Sequence, residues 1–497
     1  MRSFYDRILK IINKYYWIFF ILASAAVAFL CFRCLHIAQI DSWDEARHGI
    51  SAYEMMQSGN YLVNTFQGQA DYWNVKPPLS FLTIAAGFAI FGYNAVGLRF
   101  FSALAYLTAS VCTGLFARRY SRLASLLVMV FCAANYFPFK AHLVRAGDAD
   151  SLYLLLFTLA MLSMLKIRDQ QRWLYFCGLC FSLAFLTKSF HSLMIAAIGG
   201  LFLLFTGEIK KMRLKTWIGF LASALLPAMI WAVLRYQYDG MTFFQNMFEA
   251  DIIGRTAAGG TEGHGAPFLY YVTSIFWNFD YIYGWLSLIV LLGIAYLFFR
   301  PLRKEGHPLP LSDQTGILLW LFIPLLGFSL VSTKLMWYVY PCTIPLFLLA
   351  AVFLAEFLQA PHIPAWLLTV FSLVLLAGSA YFVWGNYLDN VRGAHSNALQ
   401  TFIIEQFSRD GLRTGATVYL DAYDPFLYAN TTEWEQNNLL LAIMEGDLEC
   451  LNGGAKAFLS DEEDCFLILS IPFLQNYPEL AGCRILADNG QYLLLGR

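Results

Sequence analysis

Apolar runs of roughly twenty residues recur from the N-terminus to about residue 385, and this recurrence leaves the chain few folds to choose from. A bilayer-spanning helix needs about 20 mostly apolar residues. Runs near 16–37, 99–117, 123–139, 151–166, 173–187, 190–206, 216–235, 281–299, 315–331, 338–357 and 364–384 meet or approach that length. The stretch 79–92 is shorter, follows Pro77-Pro78, and is expected to be interfacial or re-entrant. Composition agrees. Of 497 residues, 59% are hydrophobic and 13% charged, about half the charged share of a soluble domain. Lipid is therefore the expected solvent. The run from Tyr16 to Leu30 leads into Cys31, Arg33 and Cys34, not a small-residue cleavage site, so it is expected to remain as an anchor.

Basic residues orient the spans. Arg2, Arg7, Lys10 and Lys14 precede the first run. Later clusters are Arg118, Arg119, Arg122; Lys166, Arg168, Arg172; Lys210, Lys211, Arg213, Lys215; and Arg300, Arg303, Lys304. Each falls after an even-numbered span, so all share the side of the N-terminus, the cytoplasm by the positive-inside rule. A further pair of helices keeps this parity, giving about 11–13 transmembrane helices. Residues 1–385 form the membrane domain. Its outer face receives the loop 38–98, the turn 139–150 and the loop 236–280. Residues 386–497 change character: Thr417-Val-Tyr-Leu, Phe466-Leu-Ile-Leu and Tyr492-Leu-Leu-Leu read as strands of a small soluble α/β domain outside the cytoplasm. Cys450, Cys465 and Cys483 permit one disulfide there. Cys177 and Cys180 sit in an apolar run and read as lipid-buried residues, not a redox or zinc pair. The net charge of −1 gives no reason to expect nucleic acid as a partner.

Functional groups crowd the outer face. The first loop carries Asp41-Ser-Trp-Asp44-Glu45-Ala-Arg47-His48 and later Tyr72-Trp73-Asn74-Val75-Lys76-Pro77-Pro78. A structural explanation exists for the first piece: a capping box from Ser42 to Glu45 starts an amphipathic helix that ends at Gly59. The turn Arg145-Ala-Gly-Asp148-Ala-Asp150 can likewise cap the helix behind it. Yet two acids and an arginine at a membrane mouth exceed what a cap requires. Further polar islands are Lys188, Asp251 to Arg255 with His264, and Lys334 with Trp337 and Tyr338. Lysines that merely snorkel favour the cytoplasmic side. Lys76, Lys188, Arg255 and Lys334 instead form a cationic collar suited to a phosphate at the membrane surface.

These motifs resemble the GT-C glycosyltransferases, with the lipid A aminoarabinose transferases and protein O-mannosyltransferases as the nearest branch. The resemblance rests on Asp44-Glu45-Ala-Arg47-His48, Gln57-Ser-Gly-Asn-Tyr61 and Lys76-Pro77-Pro78. It continues through Arg145 to Asp150, Leu186-Thr-Lys188, Gly263-His264 and Lys334 to Pro341. It implies a GT-C-like fold and an inverting transfer of one sugar from a polyprenyl phosphate to a lipid, glycan or protein acceptor. The active site would lie on the extracytoplasmic face of the inner (plasma) membrane. Asp44 matches the family's first-loop acid and Asp150 its second, with Glu45 beside them as a third candidate catalytic acid. Arg47, Lys76, Arg145, Asp148, Lys188, Arg255, His264, Lys334, Trp337 and Tyr338 are the expected substrate-binding residues. Val75 and Leu335 stand where relatives often carry Glu and His, so no metal ligands are assigned and zinc is not expected; a divalent metal stays open.

Two other classes compete. A transporter or lipid flippase is expected to show internal repeats and midplane charges; the sequence has no evident repeat, and its charges gather at one face. A non-enzymatic envelope assembly protein explains the tail but not Asp44, Lys76 and Asp150.

Overall fold

The computed structural model describes residues 2–37, 39–41, 43–257, 263–277, 281–299, 309–392, 397–407 and 415–497. Every predicted apolar run is helical: Tyr16–Phe32, Ala95–Ala117, Arg122–Ala134, Ala149–Leu165, Trp173–Lys188, Leu193–Phe205, Leu214–Asp239, Tyr281–Phe299, Leu311–Leu330, Thr343–Gln359 and Ala365–Asn386. Several are shorter than a full crossing. Among the described residues, six helical stretches are long and apolar enough to cross a bilayer, or seven if the bent pair Ser3–Lys14 and Tyr16–Phe32 forms one span.

One of the six, Trp173–Phe205, has 33 residues. A straight helix of that length would reach about 50 Å. Its flanks nevertheless meet: Arg168 Nε lies 3.2 Å from Glu208 Oε1, and Gln171 Nε2 donates to the Lys211 carbonyl at 3.1 Å. The stretch therefore folds back at the 3-10 turn Ser189–Ser192, entered through Ser189 at φ +52°. It makes two limbs, matching the separate runs at 173–187 and 190–206.

The basic clusters gather at one end of the bundle. Arg119 pairs with Asp169 at 3.4 Å, Arg168 donates to Ser312 at 2.6 Å, and Arg122 donates to the Asn13 carbonyl at 2.6 Å. The cluster Arg300, Arg303 and Lys304 lies outside the described residues. Between the limbs the core is aromatic and aliphatic, with Trp320, Tyr106, Phe157, Phe202 and Phe347 fully buried.

The opposite end carries the loops. Asp44–Ser58 is a helix with a largely buried face, closed by Gly59 in the left-handed region. Its start differs from the expected capping box. The residue before the helix is Trp43 at φ +66° with no side-chain cap. Ser42 lies outside the described residues, and Glu45 turns inward to a buried arginine. Leu79–Phe91 has 13 residues, about 20 Å of helix and too short to span. It packs beside the Asp44 helix and turns into Ala95–Ala117 at Asn94, whose side chain accepts from the Val96 and Gly97 amides. A Cβ on Gly87 would sit 2.0 Å from the Gly97 carbonyl oxygen, so glycine is needed where these two backbones meet.

The tail forms a six-stranded mixed sheet. Thr417–Asp424 is central, parallel to Cys465–Ser470 and Glu449–Leu451 and antiparallel to Ala429–Thr431. Tyr492–Gly496 follows Cys465–Ser470 antiparallel, and Arg484–Asp488 closes the order through a register shift between Ile485 and Ala487. All ten cysteines are free, so the disulfide that the sequence permits does not form. The domain does not hang loosely from the bundle. Ile50, Ala52, Phe81 and Leu98 share one apolar core with Leu399, Phe402, Leu440 and Ile468. Gln400 clamps both backbone groups of Ile40 at 2.9 Å, and Tyr53 hydrogen-bonds Asp447. Gly49 permits this approach: a Cβ there would lie 2.4 Å from Leu440 Cδ2.

Because Leu440 is fully buried at this seam, Leu440→Ala should destabilise the protein by about 2–5 kcal/mol. The expected result is a lower thermal-unfolding midpoint of the intact protein and faster proteolysis in the segment joining bundle and tail.

Candidate functional site

The first helical turn of Asp44–Ser58 presents two adjacent acids with opposite fates. Glu45 points into the protein. Its Oε1 lies 2.6 Å from Arg99 Nε and accepts from the Gly147 amide at 2.9 Å. Arg99 also donates to the Leu35 and Gln39 carbonyls. Asp44 points to the surface of the site. Its Oδ1 lies 3.2 Å from Lys76 Nζ and its Oδ2 3.7 Å from His142 Nδ1. Lys76 also donates to Asn74 Oδ1 at 3.3 Å. An ammonium has three donors, so one is left for a ligand.

His142 continues the chain of charges. Its Nδ1 is 3.0 Å from Asp148 Oδ2, while Asp148 Oδ1 caps Ala149–Leu165 through the Ala149 amide. The imidazole stacks on Trp337 at 3.7 Å between ring centroids. Asp44, His142 and Asp148 thus bring three potential metal-ligating atoms within 4.8 Å of one another. His48 lies against the same acids. Its Nδ1 donates to the Asp44 carbonyl at 2.6 Å, its ring stacks on Phe81, and its buried Nε2 has no partner.

Electrostatics follow from these contacts. Burial is the largest influence on the Asp44 carboxyl and would raise it, but Lys76, His142 and His48 together outweigh it and hold the group below the usual carboxylate range. Burial would lower Lys76, and the Asp44 and Asp148 carboxylates more than reverse this. His142 is raised to about 9: burial opposes the charge, but the Asp148 hydrogen bond and the nearby acids prevail. Asp148 is pushed far down despite its burial, chiefly by its bond to His142. His48 falls to about 4 through burial and the Lys76 charge. At neutral pH the arrangement is Lys76⁺, Asp44⁻, His142⁺ and Asp148⁻, with His48 uncharged.

A second cluster adjoins the first. Lys188 forms a buried ion pair with Asp150, and Arg255 pairs with Asp251 at 3.1 Å. Lys188 Nζ and the Arg255 guanidinium lie 5.6 and 5.4 Å from the Tyr338 ring. Tyr338 is buried, and its hydroxyl has no partner. The adjacent residues Trp337 and Tyr338 therefore contact one cluster each.

Other expected residues serve the scaffold. Arg145 donates to the carbonyls of Leu30, Cys31, Arg33 and Cys34, closing the end of Tyr16–Phe32. Arg47 grips Asp71 at 2.7 and 2.9 Å and lies over Phe66 and Trp73. Lys334 Nζ donates to the Val331 carbonyl, and its backbone amide donates to the His264 carbonyl at 2.9 Å. His264 is exposed beside that pairing. Sequence reasoning missed His142, Asp71 and the unpartnered His48 nitrogen. No spacing rule marks His142; only its place in the crowded turn 139–150 hints at it.

Comparison with known proteins agrees with this architecture. Residues 75–236 match the family described as dolichyl-phosphate-mannose-protein mannosyltransferase. The chain is 29% identical over 378 residues to an undecaprenyl phosphate-alpha-4-amino-4-deoxy-L-arabinose arabinosyl transferase of Aeromonas salmonicida, covering 70% of this chain and 63% of that protein. A Pseudomonas fluorescens protein of the same description is 28% identical, covering 65% of this chain and 56% of its own length. The chain thus spans less than two thirds of either relative. Among solved structures, ArnT from Cupriavidus metallidurans in the apo state superposes with a TM-score of 0.63 at 15% identity, covering 97% of this chain and 98% of that one. The chain is a multi-pass membrane protein with the GT-C glycosyltransferase fold. Its sequence is similar to the aminoarabinose transferases over 65–70% of its length and to the protein mannosyltransferase family over residues 75–236.

The two neighbouring acids should respond differently to loss of charge. Glu45→Gln leaves Arg99 buried without its anion, which costs about 3–5 kcal/mol. The amount of monodisperse protein extracted from membranes should fall. Asp44 is 27% exposed at its side chain, and Asp44→Asn should extract at the wild-type level.

Proposed function

We propose that this chain transfers one sugar, with inversion, from a polyprenyl-phosphate donor to an acceptor on the extracytoplasmic side of the plasma membrane. The observation that carries the reading is the Asp44–Lys76 pair at 3.2 Å, beside the Lys188, Arg255 and Tyr338 cluster. A lipid-linked donor brings its own leaving group, a phosphate, which needs positive charge as the glycosidic bond breaks. Lys76 supplies it with its remaining donor. Lys188 and Arg255 add charge, and the unpartnered Tyr338 hydroxyl offers a hydrogen bond.

Inversion requires the acceptor oxygen to approach the opposite face of the sugar, where a carboxylate takes its proton or orients it. Asp44 fits this role because it is ionised and at the surface of the site. Asp148 acts through His142 and Asp150 through Lys188, as positioning groups. Glu45 and Arg145 hold the loops that carry these residues. Trp43 and Trp73, exposed and 5.6 Å apart, give a sugar ring an aromatic surface. Two of the relatives are named as undecaprenyl-phosphate aminoarabinose transferases, and one solved neighbour of the same fold is ArnT bound to undecaprenyl phosphate. Both support a lipid-phosphate donor. The acceptor is a lipid A-type lipid, a glycan or a protein.

Single-turnover transfer from a polyprenyl-phosphate sugar tests the division of labour. Asp44→Asn should lower the rate by roughly 10²–10⁴-fold even at saturating donor. Lys76→Met should need more donor and recover part of its rate at saturation. Near-native rates in both variants would defeat the proposal. Sidedness has its own check. An impermeant thiol reagent applied outside intact cells should label Tyr428→Cys in the exposed tail but not Lys211→Cys among the basic clusters; the reverse would put the acids in the cytoplasm.

A further inference from the structure

The helix Arg2–Lys14 has no part in the candidate site and lies at the basic end of the bundle. Its 13 residues reach about 20 Å, too short to span. It meets the membrane helix Tyr16–Phe32 at a bend of 75°. One side of it is pinned to the bundle. Tyr5 Oη donates to the Leu358 carbonyl at 2.9 Å, and Arg122 Nη1 donates to the Asn13 carbonyl at 2.6 Å. The helix therefore runs across the end of the bundle and not along its axis.

Residues three or four apart share a helix face, and this helix has three such rows. Tyr5, Leu9 and Ile12, on the pinned side, are buried or half-buried. Phe4, Ile8 and Ile11, continued by Tyr15, form a second row, and all four are exposed. Arg7, Lys10 and Lys14 form a third row, also exposed. At 3.6 residues per turn, the basic row lies beside the exposed apolar row, on the side away from the pinned one.

Two observations say what covers these rows. The apolar row continues past the bend into Trp17, Ile18, Ile21 and Leu22, exposed residues of the membrane helix whose surroundings are acyl chains. Arg118 marks the level of the bend, its guanidinium 4.6 Å from the Trp17 ring and 5.3 Å from the Tyr16 ring. Aromatic rings and cations meet in this way where hydrocarbon gives way to head groups. The second observation is that the basic row lacks acids. Arg119 and Arg168, at the same end, pair with Asp169 and Glu208. Among the described residues, no carboxylate pairs with Arg7, Lys10 or Lys14.

We propose that Arg2–Lys14 is a binding surface for acidic phospholipid in the leaflet at the basic end of the bundle. Its exposed apolar row lies against acyl chains, and Arg7, Lys10 and Lys14 meet the head groups. One apolar face beside one cationic face is the pattern of a helix lying in the membrane interface. Unpaired cations in a row favour a lipid of net negative charge over a zwitterionic one. They also disfavour a second copy of the chain, which would bring the same positive row. The lipid-held helix and Arg145 then grip opposite ends of Tyr16–Phe32, and Arg145 belongs to the turn that carries Asp148. The surface does not depend on the proposed transfer reaction.

The test is photocrosslinking of the full-length protein in phosphatidylcholine nanodiscs, read by peptide mass spectrometry. The probe is a phosphatidylglycerol with a photoactivatable acyl chain, and the matching phosphatidylcholine probe serves for comparison. The expected result is adducts on residues 3–15 from the phosphatidylglycerol probe, competed away by unlabelled phosphatidylglycerol and not by phosphatidylcholine. Each basic residue near an acidic surface contributes about fivefold to binding. Arg7→Gln, Lys10→Gln and Lys14→Gln together should therefore need roughly 100-fold more phosphatidylglycerol for the same yield. All three positions are exposed, so the variant keeps its fold. Lys210→Gln with Lys215→Gln removes exposed charge elsewhere at the basic end and should leave adducts on 3–15 unchanged. Four results would overturn the proposal: no adducts on 3–15, equal yields from the two probes, unchanged yield in the triple variant, or an equal loss in the Lys210 and Lys215 variant. Crosslinks between two copies through 3–15 in place of lipid adducts would also overturn it, and would assign the face to a second chain.

Discussion

The site depends on one buried carboxylate that takes no direct part in it. Glu45 pairs with Arg99 at 2.6 and 2.8 Å and accepts from the Gly147 amide at 2.9 Å. Its sequence neighbour is Asp44, and the neighbour of Gly147 is Asp148. Joining Glu45 to Gly147 therefore sets Asp44 and Asp148 on facing walls. Arg99 extends the joint to the carbonyls of Leu35 and Gln39, where the chain leaves its first membrane helix. Gly147 has little freedom here, since a Cβ would lie 2.6 Å from Leu98 Cδ1. A buried pair of this kind adds little net stability, but losing one partner is severe. Its contribution is registry between two loops far apart in sequence.

From that joint follows a site in which each main cation has an acid beside it. Lys76 has Asp44, Lys188 has Asp150, Arg255 has Asp251 and Arg47 has Asp71. Three members of the collar expected from sequence, Lys76, Lys188 and Arg255, are therefore ion-paired, while the fourth, Lys334, bonds the Val331 carbonyl. This makes physical sense near lipid, where an unpaired charge is costly. It also leaves spare donors for a ligand, because lysine and arginine have more N–H groups than one carboxylate consumes. The tail reinforces the arrangement by burying the far face of the Asp44 helix against Leu440 and Ile468.

Much of this was legible in the sequence. Hydrophobic length and the parity of basic clusters gave the helical runs, including the two limbs hidden in the unbroken stretch 173–205. Alternation marked the strands around Val418, Ile468 and Leu493. The Asp44 and Lys76 motifs, 32 positions apart, proved to be in contact. What failed were inferences from local spacing alone. Glu45 looked like a helix cap or a catalytic acid, yet its partner Arg99 lies inside the next apolar run, where sequence gives no hint of pairing. Arg145 looked like a ligand for substrate and instead closes a helix end more than a hundred residues earlier. His142 was invisible because its importance comes from Asp44, Asp148 and Trp337 converging on it, and no window of sequence contains all three. The shared core of tail and bundle was also hidden, since it joins residues nearly 400 positions apart.

The central claim is that a lipid phosphate reaches the cluster of Lys76, Lys188 and Tyr338 rather than another part of the bundle. The structure offers a ready alternative: an apolar cleft lined by Arg172, Trp173, Tyr175, Phe176, Leu179 and Ser223 near the basic end, with a volume of about 460 Å³. Photocrosslinking with a polyprenyl phosphate that carries a diazirine on its first isoprene unit, followed by peptide mass spectrometry, decides between them. The account predicts adducts on segments 185–192 and 334–340, competed away by unlabelled polyprenyl phosphate. Competed adducts confined to 172–179 would contradict it.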